Sequence, residues 1–485
     1  MKIRRCDDFS GWYNELVYSS GLAEGSSVRG CVILKPYGYA VWECIRSILD
    51  EKIKLTGHQN AYFPLFIPKS YFTKEASHVS GFAKECAVIT HHRLKENNGE
   101  IIVDEASKLE DEYIVRPTSE TIIWSTYKKW IQSYRDIPLK INQWANVCRW
   151  EMRTRPFLRT SEFLWQEGHT AHATAQEAKE EAELMIDVYH DFGKDYLAIP
   201  FVKGVKSISE RFAGADETYT VEALMQDGKA IQCGTSHILG QHFSKAFDVK
   251  YLDKNGEIKY VYGTSWGVST RLIGALIMTH SDDNGLVLPP MIAPIQTVVI
   301  PIFDGEHDED IEQYVGDIVH GLQQQGIRVS LDKRSEYRPG WKFNEYELRG
   351  VPLRIVAGYR DVWNNTIEVV RRDTSEKVSI SYDTCIDTVK GLLCTIQHDL
   401  YHKAHRFVTE HTYEVEDYET FKKLISDKSG FVSAYYDGSI DAEERIKDET
   451  RATVRCIPLD KTGSSGKCIL TGNTSSKRVL FAQSY

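Results

Sequence analysis

The sequence predicts a mixed α/β protein of several domains. Its 485 residues are enough for several domains of ~100 to 200 residues each. Two strand-like segments flank a short basic loop at residues 152–156, and strands alternate with helices after a proline-rich break at residues 286–294. We therefore expect a mostly antiparallel sheet flanked by helices, then a compact α/β domain, then a small α+β domain. The predicted domains span residues 1–290, 291–405 and 406–485.

Composition narrows the class of protein. Hydrophobic residues make up 42% of the chain, yet no run of ~18 apolar residues is long enough to span a membrane. The first residues lack the apolar core of a secretory signal. The ten cysteines are scattered without a Cys-x-x-Cys pair, as expected of reduced thiols. We expect a soluble cytoplasmic protein.

The charge distribution leaves room for a nucleic-acid partner. A formal net charge of −10 argues against broad nonspecific binding of nucleic acids. Residues 333–372, however, contain nine basic against five acidic side chains, and phosphate contacts depend on such a local excess. An ordinary solvated surface is the alternative. The run lies in the segment with alternating elements, for which we predict strands at 296–302, 327–331 and 353–357 and helices at 308–325 and 343–349.

The segment at residues 144–172 is the most informative in the chain. Alternate residues of a strand share a face, so Arg149 and Glu151 would lie together on a first strand. One face of the second strand would carry Phe157, Arg159, Ser161, Phe163, Trp165, Glu167 and His169. Cations, acids and aromatics on one face suit a nucleotide and a small zwitterion better than a core, because buried charges need partners. A solvated hairpin with cross-strand ion pairs is the alternative.

The sequence of residues 263–278 predicts a glycine-rich turn that leads into an apolar helix with Arg271 near its start. A cation in the first turn of a helix opposes the helix dipole, so stability alone would not select it. A bound polyphosphate would reverse the sign of that effect. A buried helix with a surface-facing arginine is the alternative.

Other segments have structural explanations of their own. Thr118 and Glu120 precede the predicted helix 122–134, where they would serve as a cap and a first-turn acid. Residues 232–237 read as a polar strand with a glycine bulge, and Phe212 alone would be assigned to the core. An amphipathic helix predicted at residues 39–55 is followed by residues 56–66, a candidate edge strand that Pro64 limits.

Together these segments resemble a known family. Arg149-Trp150-Glu151, the basic loop and the series from Phe157 to His169 resemble the second signature motif of class II aminoacyl-tRNA synthetases, in the wording of prolyl-tRNA synthetases of the archaeal and eukaryotic type. Residues 56–66 and 263–278 resemble the first and third motifs. The second predicted domain resembles the anticodon-binding domain of such enzymes, and the third resembles the C-terminal domain of prolyl enzymes.

The resemblance implies a proline–tRNA ligase. Such an enzyme activates L-proline with ATP and Mg²⁺ to prolyl-adenylate and transfers the prolyl group to the 3′ end of tRNA(Pro), as a homodimer built on the first motif. It implies catalytic roles for Arg149 and Arg271. The residues it implies for proline are Thr118, Glu120, Arg149, Trp165, Glu167, His169, Phe212 and His237. Those it implies for ATP are Arg149, Glu151, Arg159, Thr160, Phe163, Gln232, Thr235, Gly267, Ser269 and Arg271.

The chemistry of proline fits these side chains. Its secondary ammonium offers two N–H donors and its ring only apolar surface, so a carboxylate and flat walls suit it. A threonyl, seryl or glycyl synthetase would share the motifs but would need another pocket. A catalytically silent tRNA-binding paralogue would be expected to lose the motif arginines, and Arg149, Arg159 and Arg271 are all present.

Two departures from related patterns complete the expectation. Some prolyl enzymes hold zinc in the C-terminal domain through four cysteines, whereas this region has only Cys456 and Cys468. Two cysteines without a nearby histidine pair cannot close a tetrahedral site, so we predict no structural zinc. Residues 172–262 leave no room for a large inserted editing domain, which predicts the type of enzyme that lacks it.

Overall fold

The computed structural model describes residues 2–73, 86–459 and 465–485. An 11-stranded sheet forms the centre of the molecule. Its strands, in spatial order, are Thr412–Glu414, Phe431–Tyr435, Arg478–Ala482, Thr453–Pro458, Val202–Val205, Glu217–Leu224, Ala230–Gly240, Tyr262–Ser269, Glu162–His172, Leu139–Cys148 and Gln59–Asn60. Pairing is antiparallel except at the two edges, where Thr412–Glu414 and Gln59–Asn60 run parallel to their neighbours. The predicted mostly antiparallel sheet is confirmed.

Helices pack on the N-terminal part of this sheet. They are Phe9–Ser19, Pro36–Leu55, Lys69–Phe72, Glu120–Trp130, Ala175–Phe192, His242–Ala246 and Arg271–His280. Smaller strands there are Ala23–Gly25, Val32–Leu34, Phe66–Pro68, Val88–His91, Leu94–Asn97, Glu100–Val103, Lys108–Val115, Lys250–Leu252 and Ile258–Tyr260. The helix Ala175–Phe192 shows why the layers adhere: a capping box of Thr174 and Glu177 starts it. Its buried Met185 and Tyr189 then join the core cluster that contains Trp266 of the sheet.

A second sheet has five strands, in the order Val329–Leu331, Thr297–Ile302, Leu353–Gly358, Thr366–Arg371 and Lys377–Ser381. The helices around it are Asp308–Gln324, Pro339–Leu348, Tyr359–Asn364 and Cys385–Glu410. All five elements predicted for this α/β unit are present. The helix predicted at 343–349 begins earlier because Pro339 occupies its first turn, where a missing N–H does no harm.

The C-terminal residues contribute the helices Tyr418–Ser426 and Ile440–Thr450 and four strands of the large sheet. Strand Thr453–Pro458 pairs with Val202–Val205 through Gly204 opposite Pro458 and Val205 opposite Ile457. The C-terminal unit therefore extends the sheet of the N-terminal part. Within the described ranges, no helix is long and apolar enough to cross a membrane.

Four local predictions were wrong. The strand predicted through Arg149 and Glu151 ends at Cys148, and the next begins at Glu162, so Phe157, Arg159 and Ser161 lie in the connection. Burial explains the difference: Phe157 is 4% exposed and adopts φ of 61°, which no strand allows.

Helix and strand ends account for two of the others. Ser119, not Thr118, is the N-cap of helix Glu120–Trp130. The glycines predicted to form a turn before Arg271 lie in the strand Tyr262–Ser269. The fourth concerns the glycine bulge predicted at residues 232–237: a bulge is present, but the extra residue is Cys233, between the pairs Val221–Gly234 and Glu222–Gln232.

Candidate active site

A cavity of about 300 Å³ opens on one face of the large sheet. It is lined by fourteen of the residues predicted for proline and ATP: Thr118, Glu120, Arg149, Phe163, Trp165, Glu167, His169, Phe212, Gln232, Thr235, His237, Gly267, Ser269 and Arg271. These residues come from segments more than 150 positions apart in the chain. The structure thus brings most of the predicted site together in one place.

Three predicted ATP residues do not line this cavity. Thr160 is buried, and its hydroxyl donates to the carbonyl of Glu162 at 2.6 Å. Arg159 is exposed and donates to the carbonyl of Tyr485 at 3.4 Å. Burial is the main cause of the lowered pKa of Arg271, and the charge of Arg159 lowers it further. Glu151 is half-buried and close enough to raise the pKa of Arg149. Arg159 and Glu151 therefore lie near the cavity without forming its wall.

Strand register explains the arrangement. Glu167 lies opposite Gly267, and Gly267 in turn lies opposite Thr235 on the next strand. The two-residue period puts Phe163, Trp165, Glu167 and His169 of one strand on the cavity face, as the sequence predicts. A Cβ at Gly267 would lie 2.9 Å from the carbonyl oxygen of Gln166 on the neighbouring strand, so glycine permits the close approach of the two strands here.

The acidic end of the cavity is built around Glu167. Its carboxylate is 3% exposed and accepts hydrogen bonds from Ser119 Oγ at 2.5 Å, Gln143 Nε2 at 2.7 Å and His169 Nε2 at 2.9 Å. Glu120, also 3% exposed, accepts a hydrogen bond from the Thr118 hydroxyl. Two buried carboxylates near one cavity form a receptor for a cationic group.

Buried polar atoms at this end also point to a ligand. Burial opposes protonation of His169, but the hydrogen bond and charge of Glu167 outweigh it and raise the pKa of His169. His169 Nδ1 and Trp165 Nε1 are buried and have no hydrogen-bond partner within the described part of the chain. Such groups are uncommon in a folded protein and are expected where a ligand supplies the partner.

Two arginines form the cationic end. Arg149 Nε donates to the carbonyl of Pro117 at 2.9 Å, and its guanidinium lies 5.5 Å from the ring centres of both Phe163 and Trp165. Arg271 donates to the carbonyls of Leu158 at 3.2 Å and Gln232 at 3.4 Å.

Burial perturbs both guanidinium groups. Burial lowers the pKa of Arg149 to about 10, with a smaller contribution from the charge of Arg271. Burial also lowers the pKa of Arg271. Both remain protonated at neutral pH, so a bound anion would stabilise this end.

A flat wall closes one side. The rings of Phe212 and His237 stack with centres 4.3 Å apart and planes at 26°. His237 is held through both ring nitrogens, at 3.0 Å from the hydroxyls of Thr218 and Thr235. Burial lowers the pKa of His237 to about 3, so the ring is neutral. Phe212 therefore belongs to the cavity wall as well as to the neighbouring core cluster.

Sequence reasoning missed the residues that hold Glu167 and His237 of the cavity wall in place. Ser119 and Gln143 hydrogen-bond Glu167, and Thr218 hydrogen-bonds His237. Gln143 had a signal that could have been used: it lies on the strand before the basic connection, six residues from Arg149 and on the same side of the two-residue period. Ser119 and Thr218 have no such signal, since their roles depend on contacts distant in sequence.

The antiparallel strands that line the cavity, with Arg149 after one strand and Arg271 at the start of a helix, lie in the part of the chain that matches the class II aminoacyl-tRNA synthetase core. The family model "tRNA synthetase class II core domain (G, H, P, S and T)" matches residues 102–280. "Anticodon binding domain" matches residues 296–392, and "Prolyl-tRNA synthetase, C-terminal" matches residues 418–485. The core model covers five amino-acid specificities, and the C-terminal model points to one of them.

Full-length relatives agree with the C-terminal match. Proline–tRNA ligases of Amoebophilus asiaticus and Cytophaga hutchinsonii are each 59% identical, over 484 and 485 residues and 99% of both chains. The proline–tRNA ligase of Phocaeicola vulgatus is 59% identical over 488 residues, covering 99% of this chain and 98% of its own. The chain belongs to the prolyl-tRNA synthetase family.

Proposed function

We propose that this protein activates L-proline with ATP to prolyl-adenylate and transfers the prolyl group to the 3′ end of tRNA(Pro). The observation that carries the proposal is one cavity lined both by two buried acids, Glu120 and Glu167, and by two arginines, Arg149 and Arg271. A zwitterionic amino acid and a polyphosphate together match that distribution of charge. The relatives named above support the choice of proline.

Proline binding follows from the acidic end and the flat wall. We assign the secondary ammonium to Glu120 and Glu167, with Thr118 and His169 holding these carboxylates. The pyrrolidine ring would contact Trp165 and the stacked pair formed by Phe212 and His237. In this orientation the proline carboxylate points toward Arg149.

In the first step the proline carboxylate attacks the α-phosphate of ATP and pyrophosphate leaves. Arg149 and Arg271 stabilise the charge on the phosphates, and Mg²⁺ enters with ATP to neutralise the rest. The Glu151, Arg159 and Thr160 contacts to ATP belong to the same proposal. Proline is already a carboxylate, so this step needs no general base, and positioning supplies most of the acceleration.

In the second step a terminal ribose hydroxyl of tRNA attacks the adenylate carbonyl. The anticodon-binding domain supplies the distant contact with tRNA. Ion pairs engage several cations of the basic run within the protein, including Arg334 with Asp332 and Arg372 with Asp282.

An exposed aromatic pair in the same run suits RNA better than these paired cations do. Tyr337 and Trp341 stack with ring centres 4.0 Å apart while 38% and 46% exposed. Exposed aromatic pairs of this kind accept unstacked bases, and exposed Arg338 lies between them in sequence.

The finer type of enzyme is also part of the proposal. The segment between the second and third motifs contains helix Ala175–Phe192 and the strands Val202–Val205, Glu217–Leu224 and Ala230–Gly240, which belong to the large sheet and its helical layer. This supports a prolyl enzyme without an inserted editing domain. A pocket for proline excludes a smaller side chain by only ~1–3 kcal/mol, so mischarged alanyl-tRNA would be cleared by another protein. Deacylation of alanyl-tRNA by the pure protein would refute this.

Assembly and metal content remain predictions. Gln59–Asn60 of the first motif is an edge strand of the large sheet, which supports a cytoplasmic homodimer formed there. Light scattering of the purified protein tests the dimer. Cys456 and Cys468 belong to different buried clusters, which supports a C-terminal unit held by packing without structural zinc. Metal analysis that finds one tightly bound zinc per chain would overturn this.

The function is tested by amino-acid-dependent ATP–pyrophosphate exchange without tRNA, across all twenty amino acids. Exchange with proline alone is the expected result. Exchange with threonine, serine or glycine instead would keep the fold and reject the pocket assignment. No exchange with any amino acid, from a demonstrably folded protein, would favour the silent tRNA-binding paralogue.

A further inference from the structure

The segment that carries Phe212 is attached to the C-terminal unit. Residues 206–216 connect the strands Val202–Val205 and Glu217–Leu224, and Glu210, Arg211 and Phe212 of this segment line the active-site cavity. Ser207 and Ser209 of the same segment donate hydrogen bonds to the two carboxylate oxygens of Glu443, at 2.9 Å and 2.6 Å.

Glu443 is built into its place. It lies in the first turns of helix Ile440–Thr450, where the helix dipole favours an acid, and it is 5% exposed. Tyr436 donates a third hydrogen bond to it at 3.1 Å. Hydrogen bonds to a charged acceptor are stronger than those between neutral groups. The Glu443 carboxylate therefore links Tyr436 of the C-terminal unit to Ser207 and Ser209. These serines lie in a short turn, which the Glu210 N–H closes by donating to the Ser207 carbonyl at 3.2 Å.

Hydrogen bonds contribute to holding this segment, which borders two cavities. The second cavity, of about 270 Å³, is lined by Arg211 on the segment and by Tyr436 and Lys477 on the C-terminal unit. Phe212 packs against a core cluster, whereas Ser207 and Ser209 lie beside the second cavity. Besides Glu443, Lys206 anchors the segment: its buried ammonium donates to Glu222 at 2.7 Å and to the carbonyl of Arg455 at 2.9 Å.

We propose that Glu443 is a positioning residue for proline binding: by holding Ser207 and Ser209, it fixes the segment that presents Phe212 to the cavity. The proposal rests on the proposed function and deepens it. The Phe212 backbone N–H donates to Thr218 Oγ1 at 3.2 Å, and Thr218 also contacts His237, so a displaced segment disturbs both rings of the flat wall. Arg149 and Arg271, by contrast, donate to the carbonyls of Pro117, Leu158 and Gln232, which lie outside residues 206–216.

The test compares Michaelis constants in pyrophosphate exchange by the full chain. Glu443→Ala is expected to raise KM for proline about tenfold and to leave kcat and KM for ATP within about twofold. Glu443→Gln, which keeps an acceptor and the shape, should restore most of the affinity. Glu444→Gln is the matched control, because Glu444 is the adjacent acid and is exposed.

Removal of the donors provides the second arm. The double variant Ser207→Ala/Ser209→Ala should match Glu443→Ala, and adding Glu443→Ala to it should raise KM no further, since both changes break the same contacts. An unchanged KM for proline, an equal rise in both Michaelis constants, or additive effects would each overturn the proposal. If Glu443→Ala does not fold, the serine variants and Glu443→Gln decide by the same criteria.

Hydrogen exchange separates this proposal from the proposed function, because it needs no substrate. Backbone amides of residues 207–212 should exchange faster in Glu443→Ala than in the parent, while those of strand Glu162–His172 stay unchanged. Unchanged exchange at residues 207–212 would refute the positioning role even if the parent activates proline. Failure of the parent to activate proline, together with faster exchange there, would refute only the function.

Discussion

Replacing Arg149 with lysine tests the electrostatics of the cavity directly. Lysine keeps the positive charge but loses the planar fork that can hold a carboxylate and a phosphate together. It also loses the hydrogen bond to Pro117 and the placement between Phe163 and Trp165. We expect kcat/KM for proline-dependent exchange to fall about 10- to 100-fold at pH 7. Arg149→Ala should lose about 100- to 1000-fold, the usual effect of removing a preorganised stabilising group.

The pH dependence follows from the burial of this position. Burial lowers the pKa of Arg149 from its ordinary value to about 10. The same surroundings acting on a lysine, whose ordinary pKa is about 10.4, would bring its pKa to about 8. The lysine variant should therefore lose its charge as the pH rises through about 8, while the parent keeps its charge until about pH 10. Above pH 8 the ratio of parent to variant activity should rise about tenfold per pH unit.

The assay is pyrophosphate exchange from pH 6.5 to 9, with each variant normalised to the parent at the same pH. Arg445→Lys is the matched control, because Arg445 is exposed and lies in the C-terminal unit. A constant ratio across this range would refute the assignment of Arg149 to a buried, electrostatically sensitive position. Arg149→Ala activity within about twofold of the parent would remove this residue from the catalytic machinery.

Three further predictions concern binding and stability. Glu167→Gln should raise KM for proline about tenfold in the exchange assay. It also removes the charge that raises the pKa of His169; the stability that this histidine contributes is present below about pH 6.5 and is lost as the pH rises through its raised pKa. The free energy of unfolding of the variant should therefore depend less on pH than that of the parent. Trp341→Ala should spare exchange and lower kcat/KM for tRNA charging about 10- to 100-fold, because stacking on a base contributes about 1–3 kcal/mol. Arg455→Met should destabilise the fold by about 3 kcal/mol in urea unfolding, since it takes a partner from fully buried Glu222. A Glu167→Gln variant with unchanged KM, a Trp341→Ala variant that loses exchange, or an Arg455→Met change below about 1 kcal/mol would contradict the respective argument.

The cavity face was predictable because strand periodicity is a local property. Phe163, Trp165, Glu167 and His169 alternate in sequence, and any strand at this position must place them on one side. The unusual position of Arg271, which lines the cavity, was also readable, since an arginine at a helix start opposes the dipole. Both inferences need only the nearest neighbours along the chain.

The remaining differences arise where distant packing decides the backbone. Phe157 belongs to a strand by propensity, yet it is buried in the core near helix Phe9–Ser19, and Tyr13 donates to the carbonyl of the preceding Pro156 at 2.7 Å. Nothing in residues 149–161 encodes that contact. The basic run at residues 333–372 is a second case, because most of its cations form ion pairs with acids such as Asp332, Asp282 and Asp399. Asp282 and Asp399 are distant from the run in sequence.

Under the proposed function, the charges of the cavity bring two anions together. The charge of Arg271 lowers the pKa of Arg149, whereas the charges of Glu120 and Glu167 raise it, and both acids are buried. In the proposed complex the phosphates of ATP would bind the two arginines, and the proline ammonium would bind the two acids. The proline carboxylate would then lie between them, close to the cations that also hold the α-phosphate. Two anions that repel each other in water would thus be held in contact, so positioning would lower the barrier to the reaction.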